Sequence, residues 1–187
     1  MKAEAQRLSD DMGDGTGRWG SILEGGGDLL GCLGEVAFKT LLKQKWPLEE
    51  KLEIEHLPNR HYDLDVNRFK IDVKSKWAKT TPQKNWEGTV AMGREDDSQL
   101  PQNVDVFAFM RILYQEVDGE KVPDDVGWFI GWLFKTDFYK IAMPIRKGEV
   151  DQRSTNTNQF KSHKDQWNVY HYQMNRRLTD LFGPELF

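Results

Sequence analysis

The segment from Tyr62 to Lys76, YDLDVNRFKIDVKSK, constrains the fold more than any other part of the chain. Apolar and polar residues alternate in both halves, which is the pattern of β-strands with one buried face. Asn67 and Arg68 lie between the two halves and can form a two-residue turn. The segment therefore predicts an antiparallel hairpin with one apolar and one polar face.

This turn fixes which residues of the hairpin face each other. The apolar pairs are Val66 with Phe69, Leu64 with Ile71 and Tyr62 with Val73. The same register sets Asp65 opposite Lys70, which gives Asp65 an ion-pair partner. It also sets Asp63 opposite Asp72, with Cβ atoms about 5 Å apart, and two carboxylates at that distance repel each other unless a cation lies between them. We therefore expect a divalent cation between Asp63 and Asp72.

Two carboxylates with a nearby backbone carbonyl, which we assign to Val73, form the hard oxygen site that suits Mg²⁺, with Mn²⁺ as a possible substitute. Such ions activate water and bind phosphate oxygens. Lys74 shares the strand face of Asp72, where its ammonium group can hold an attacking water or the developing negative charge. The alternative is that Asp72 and Lys74 are ordinary solvent-facing residues, since an acidic-x-Lys tripeptide occurs about once by composition in a chain of this length.

A helix is predicted from Asp28, as its N-cap, to about Lys45. Its apolar residues recur at helical spacing and are Leu29, Leu30, Leu33, Val36, Ala37 and Leu41. Glu35 lies nearly opposite this stripe, so one interpretation is a solvated side chain. The other is a metal or water ligand, because Gly31 and Gly34 would allow the helix to approach the sheet closely.

Three segments in this order, GCLGEVAFKTLL, YDLDV and FKIDVKSKW, resemble the PD-(D/E)XK nuclease superfamily. The resemblance covers Leu29 to about Phe134. It implies an α/β fold with a restriction-endonuclease-like core, in which a mixed β-sheet is flanked by helices. The residues of this chain at the family's catalytic positions are Glu35, Asp63, Asp72 and Lys74.

The resemblance implies a Mg²⁺-dependent DNA endonuclease that hydrolyses phosphodiester bonds, and the single-domain build suggests a bacterial or phage enzyme. The implied metal ligands are Asp63, Asp72, Val73 and Glu35. The chain departs from the family at Tyr62, where Pro is usual, and at Asp72, where Glu is more frequent. The family's glutamine on the helix after the third strand would be Gln99 or Gln102, and that position stays open.

The other predicted elements complete one domain, residues 1–187, with a flexible N-terminal segment (1–27), a core (29–134) and a C-terminal extension (135–187). A short helix is expected at the N-terminus. The further elements are a strand over Lys51–His56, strands Val104–Tyr114 and Val126–Phe134 joined by a charged turn over Glu116–Asp125, a helix over Lys135–Ile141, and a strand over Trp167–Met174 with a helical tail. Residues 80–103 read as irregular, with a short helix near Ser98.

Charge is distributed unevenly along the chain. The net charge is −4, yet the stretch from Arg68 to Lys84 holds six basic residues and one acid. This asymmetry favours an anionic substrate such as DNA, and the candidate contacts are Lys76, Lys70, Lys79 and Arg68. Trp77 and Trp86 could stack on bases, although strand lysines often serve solubility and Trp is more often buried. A second contacting loop could lie over 146–164.

No stretch approaches the length of about 18 apolar residues that a membrane span needs, and the first residues are polar. We therefore expect no membrane partner and a cytoplasmic location, in the host cytoplasm if the protein is phage-encoded. Cys32, the single cysteine, is expected to be buried, and His163 and His171 to be structural or solvent-exposed. A homodimer is possible, because many nucleases that cut both strands are dimers. The competing classes are a non-catalytic nucleic-acid-binding or structural protein that keeps this fold, and a domain whose acids hold a structural metal ion.

Overall fold

The fold was obtained as a computed structural model, which describes residues 2–11, 26–45, 54–56, 62–67, 69–92, 104–151, 161–162 and 165–182. The helices are α1 (Lys2–Asp11), α2 (Gly26–Lys45), α3 (Lys135–Ile141) and α4 (Thr179–Phe182). The strands are β1 (Ile54–His56), β2 (Leu64–Val66), β3 (Phe69–Ala78), β4 (Glu87–Ala91), β5 (Val106–Val117), β6 (Glu120–Phe134), β7 (Met143–Ile145) and β8 (Gln166–Tyr170). None of the described helices is long and apolar enough to cross a membrane.

The main sheet has five strands in the order β1-β2-β3-β5-β6. Strands β3 and β5 are parallel, and the other neighbours are antiparallel. A second, antiparallel sheet has the order β4-β8-β7. The prediction of a mixed α/β fold, with a mixed sheet and flanking helices, is confirmed.

The hairpin of β2 and β3 has the predicted register over its three turn-proximal pairs. These pairs are Val66 with Phe69, Asp65 with Lys70 and Leu64 with Ile71. Asn67 has a φ of 49°, in the left-handed region that a tight turn requires and that Asn tolerates. The period-two pattern and the turn residues therefore determine this part of the fold.

Helix α2 begins earlier than predicted. Asp28 lies inside it, two residues after the first helical residue Gly26, so its assignment as the N-cap is wrong. Of the two glycines expected to allow close approach, only Gly34 does so, because a Cβ there would overlap the side chain of Ser75 in β3. A Cβ at Gly31 would meet nothing within 4 Å. The helix therefore lies in close contact with β3 at Gly34.

The connection between β5 and β6 is shorter than predicted. The strands extend to Val117 and from Glu120, and only Asp118 and Gly119 form the turn, with φ of 54° and 84°. Positive φ at both central residues is the requirement of a two-residue hairpin turn whose twist matches the strands. The predicted turn over Glu116–Asp125 is wrong because those charged residues are exposed, and an exposed strand carries no apolar alternation.

The second sheet was not anticipated. Strand β4 lies in the stretch predicted to be irregular, and it pairs with β8. The predicted strand over Trp167–Met174 is wrong in its extent, since β8 starts at Gln166 and ends at Tyr170. A 3₁₀ turn begins at His171. The predicted short helix near Ser98 lies outside the described residues. The helix over Lys135–Ile141 is confirmed. The C-terminal extension thus contributes two strands to a sheet that it shares with the predicted core.

Apolar side chains are buried on both faces of the main sheet. On one face, Val73 and Ala108 belong to a cluster with α1 and α2, which includes Ala5 of the predicted N-terminal helix. On the other face, Phe107 and Phe109 pack with α3 and the second sheet. Successive residues of β5 therefore point into different clusters, as expected for a strand buried on both sides.

Candidate active site

Two of the four candidate residues lie on β3 and share one face of that strand. Asp72 Oδ1 is 2.6 Å from Lys74 Nζ, and the Asp72 side chain is only 8% exposed. The Lys74 side chain is 34% exposed, so the ammonium group connects a buried carboxylate with the solvent-accessible surface. The alternative of two ordinary solvent-facing residues is wrong for Asp72.

Asp63 lies one residue before β2, at the point where the hairpin pairing changes. Its backbone N–H donates to the Ile71 carbonyl at 2.9 Å, and its Oδ2 accepts a hydrogen bond from the Val73 N–H at 2.7 Å. The predicted pairs of Asp63 with Asp72 and of Tyr62 with Val73 are not part of the strand ladder. The carboxylate of Asp63 instead caps the backbone of β3 between Asp72 and Lys74.

Glu35 is buried on α2, with 8% of its surface exposed, so the solvated interpretation is wrong. The helical wheel failed here because it assumes that only the apolar stripe faces the protein. Residue 34 is a glycine, and the helix lies against Ser75 at that point, which brings the neighbouring Glu35 below the protein surface.

The charges of these four residues interact. The pKa of Asp63 is raised well above its ordinary value, first by burial and then by the negative charges of Asp72 and Glu35, which together outweigh Lys74 and the Val73 N–H. Burial by itself lowers the pKa of Lys74, but Asp72 and Asp63 outweigh it, and the net shift is upward. Three acids and one lysine form a site with an excess of negative charge, which a bound cation would relieve.

The donor set fits Mg²⁺ in its chemistry, since carboxylate oxygens are the ligands that this ion prefers. One oxygen of Asp63 accepts from Val73 and one oxygen of Asp72 contacts Lys74, and each carboxylate has a second oxygen. Among the described residues, no group of three or more His, Cys, Asp or Glu side chains is arranged closely enough to hold a metal ion. The predicted ligand set of Asp63, Asp72, Glu35 and the Val73 carbonyl therefore stays a prediction.

The lysines predicted to contact nucleic acid each interact with another side chain of the protein. Lys70 lies 5.5 Å from the centre of the Tyr62 ring, Lys76 pairs with Glu87 at 2.9 Å, and the exposed Lys79 pairs with Glu116 at 2.8 Å. Arg68 lies outside the described residues. Because each described lysine already has a partner within the chain, binding to phosphate would require it to exchange or share that partner.

Arg111 is a buried residue that the sequence reading missed. It is the parallel neighbour of Lys76, and its guanidinium donates to the carbonyl of Glu87 at 2.5 Å and lies 5.1 Å from the centre of the Trp86 ring. Burial lowers its pKa to about 10. A single charge inside the apolar run VFAFMRIL was the sequence signal that could have identified it.

Trp77 and Trp86, which were predicted to stack on bases, both have packing contacts within the protein. Trp77 packs against the core, and its ring centre lies 5.5 Å from that of Tyr114. The ring centres of Trp86 and His171 are 6.5 Å apart. His171 is buried, and its Nδ1 lies 2.8 Å from the carbonyl of Gln83. His163 lies outside the described residues, and of the proposed second contacting loop, Arg146 pairs with Asp165 at 2.9 Å.

A small cavity lies beside Lys74, between the main sheet and the second sheet. Its charged and titratable lining residues are Lys74, Lys76, Glu87, Arg111 and His171.

Comparison of the chain with protein-family models, with curated proteins and with solved structures finds no match. The site must therefore be interpreted from its own chemistry.

Proposed function

We propose that this protein is a divalent-metal-dependent DNA endonuclease with a restriction-endonuclease-like core, in agreement with the sequence resemblance. The observation that carries the proposal is the electrostatic interaction of three buried acids, Glu35, Asp63 and Asp72, with one another and with Lys74, which is in contact with Asp72. Burying three mutually repelling acids is unfavourable for folding. Such an arrangement is typical of a functional site rather than of a stabilising one.

Each residue has a separate role in the proposed reaction. Asp63, Asp72 and Glu35 would hold Mg²⁺ through carboxylate oxygens, and the ion would supply Lewis-acid activation of water and neutralise phosphate charge. Lys74, whose raised pKa keeps it charged at neutral pH, orients the attacking water or stabilises negative charge on the phosphate. Asp63 also holds the β3 backbone at Val73, which fixes the spacing of Asp72 and Lys74.

A second candidate is a non-catalytic nucleic-acid-binding or structural protein with the same fold. The close contact between Lys74 and Asp72 favours it, because the lysine already neutralises one of the acids. In this reading the two residues form a structural ion pair and require no metal. A domain that holds a structural ion is distinguished from both by a gain in stability on adding metal without any cleavage.

The decisive experiment measures cleavage of supercoiled plasmid, branched DNA and single-stranded DNA with Mg²⁺, Mn²⁺ or EDTA. The wild type is compared with Lys74→Ala and with Lys121→Ala, a matched control in the exposed part of β6. The proposal expects metal-dependent cutting that Lys74→Ala abolishes and Lys121→Ala retains. Absence of cutting by folded wild type on every substrate would contradict it, as would full activity of Lys74→Ala.

DNA as partner and a homodimer as the assembly belong to the same proposal. The basic residues of β3 support an anionic partner, since Lys70, Lys74 and Lys76 leave the same face of the strand. The homodimer follows only from the need of a double-strand cutter for two sites. Sedimentation velocity of the protein with and without duplex DNA tests it.

A further inference from the structure

The hydroxyl of Tyr139 is buried, and within the described part of the chain it has no hydrogen-bond partner. A buried hydroxyl without a partner destabilises a protein, so such groups usually have a reason to be present. The ring of Tyr139 packs against neighbouring aromatic rings, whereas its oxygen bonds to no residue that the structure describes. A phenylalanine would satisfy the packing at this position equally well.

Tyr139 lies beside the candidate active site. Its ring is 6.2 Å from that of Phe107 and nearly perpendicular to it. Phe107 is the parallel neighbour of Asp72, so both side chains leave the same face of the main sheet. On its other side, the Tyr139 ring is 5.5 Å from Trp167 of β8, again nearly perpendicular. Aromatic rings from the two sheets therefore hold Tyr139 in place above the strand face that carries Asp72 and Lys74.

The charges of Asp72 and Lys74 both act on the Tyr139 hydroxyl, as its position beside the candidate site leads one to expect. Burial and the carboxylate of Asp72 raise its pKa, while Lys74 partly offsets them. The hydroxyl therefore keeps its proton at neutral pH and remains a hydrogen-bond donor. In a site with three acids, Tyr139 and Lys74 are donors that an anion can use.

We propose that DNA binding moves aside the side chains that cover the Tyr139 hydroxyl, which then donates a hydrogen bond to a non-bridging oxygen of the phosphodiester next to Asp72 and Lys74. This inference rests on the proposed function. A phosphate oxygen supplies the acceptor that the hydroxyl lacks among the described residues. Because the neighbouring rings already fix the tyrosine, little side-chain freedom is lost when the substrate binds.

The experiment uses Tyr139→Phe, which keeps the ring and removes only the hydroxyl. We expect unchanged or higher thermal stability together with a fall in kcat/KM for DNA cleavage of about 10- to 100-fold, the range for one lost hydrogen bond to a charged group. Tyr172→Phe is the matched control, since Tyr172 is 62% exposed, and it is expected to cut like the wild type. A purely structural role of Tyr139 would lower stability and activity together.

The outcomes separate this inference from the proposed function. If the wild type cuts DNA and Tyr139→Phe cuts it equally well, the substrate contact is overturned and the nuclease stands. If Tyr139→Phe loses stability in proportion to activity, the contact is also overturned. If the folded wild type cuts no DNA with any metal, the nuclease proposal fails, and the phosphate contact fails with it.

Discussion

Gly34 of α2 lies in close contact with Ser75 of β3, and a Cβ at position 34 would lie 2.8 Å from the Ser75 Cβ and overlap its Oγ. The Ser75 Oγ is buried and has no hydrogen-bond partner among the described residues. The Ser75 side chain fills the space between helix and strand, which leaves no room for a side chain at position 34. This contact sets the depth at which the next residue, Glu35, enters the protein.

We predict that Gly34→Ala lowers the free energy of unfolding by about 1–3 kcal/mol, because the helix must move away from β3 to accommodate the methyl group. Gly31→Ala is the control in the same helix. Its Cβ would meet nothing within 4 Å, so the higher helix propensity of alanine should raise stability by about 0.5–1 kcal/mol. Urea denaturation of the three proteins measures both effects. Equal shifts in the same direction would contradict the close-contact explanation.

Asp63→Asn should separate stability from function. The substitution removes a charge whose pKa is raised by burial, Asp72 and Glu35, while the amide oxygen can still accept from the Val73 N–H. Without metal, we expect stability equal to or higher than that of the wild type. We also expect the loss of any stabilisation by Mg²⁺ or Mn²⁺ and of DNA cleavage.

Thermal unfolding of wild type and Asp63→Asn in EDTA and across a metal titration checks this expectation. Asp65→Asn is the control, because the ladder neighbours of Asp65 are Lys70 and Glu55 and not the acids of the candidate site. A metal response that survives in Asp63→Asn would remove Asp63 from the ligand set. A large loss of stability in EDTA would show that its charge serves the fold.

Substitutions at the two residues of the turn, Asp118 and Gly119, should differ in their effect on stability. Gly119 has a φ of 84°, where an L side chain is strained, so Gly119→Ala should destabilise the protein by about 1 kcal/mol. Asp118→Asn should have little effect, because asparagine tolerates the left-handed region equally well. Denaturation midpoints of the two variants test this assignment, and an unaffected Gly119→Ala would indicate a different turn.

Local pattern and tertiary contact account for what the sequence did and did not predict. The register near Asn67 and the extent of α3 follow from neighbouring residues, and both are confirmed. The capping of Val73 by Asp63 was missed, since pairing rules assume that the ladder continues to the strand end. The positions of Tyr139 and Arg111 depend on strands that meet only in the folded chain, and no local pattern encodes such contacts.

His171 provides a pH-dependent test of the second sheet. It is buried, and desolvation, followed by the nearby charge of Arg111, lowers its pKa to about 4 from an ordinary value of about 6.5. The Gln83 carbonyl and Glu87 act in the opposite direction, and Arg176 acts with Arg111. Between these two pKa values the unfolded chain binds the proton more strongly than the folded chain does. Stability contributed by the neutral imidazole is therefore present above pH 6.5 and is lost as the pH falls towards 4.

We predict that His171→Asn reduces the rise in stability between pH 4 and pH 6.5 by up to about 3 kcal/mol, the free-energy equivalent of this pKa difference. Asparagine cannot titrate, and its amide nitrogen can replace Nδ1 as the donor to the Gln83 carbonyl. Carboxylates that titrate in the same range contribute to both proteins, so the quantity to compare is the wild-type minus variant difference in unfolding free energy at each pH. A difference that does not change with pH would mean that the folded and the unfolded chain bind the His171 proton equally, and the lowered pKa of a buried neutral histidine would have to be abandoned.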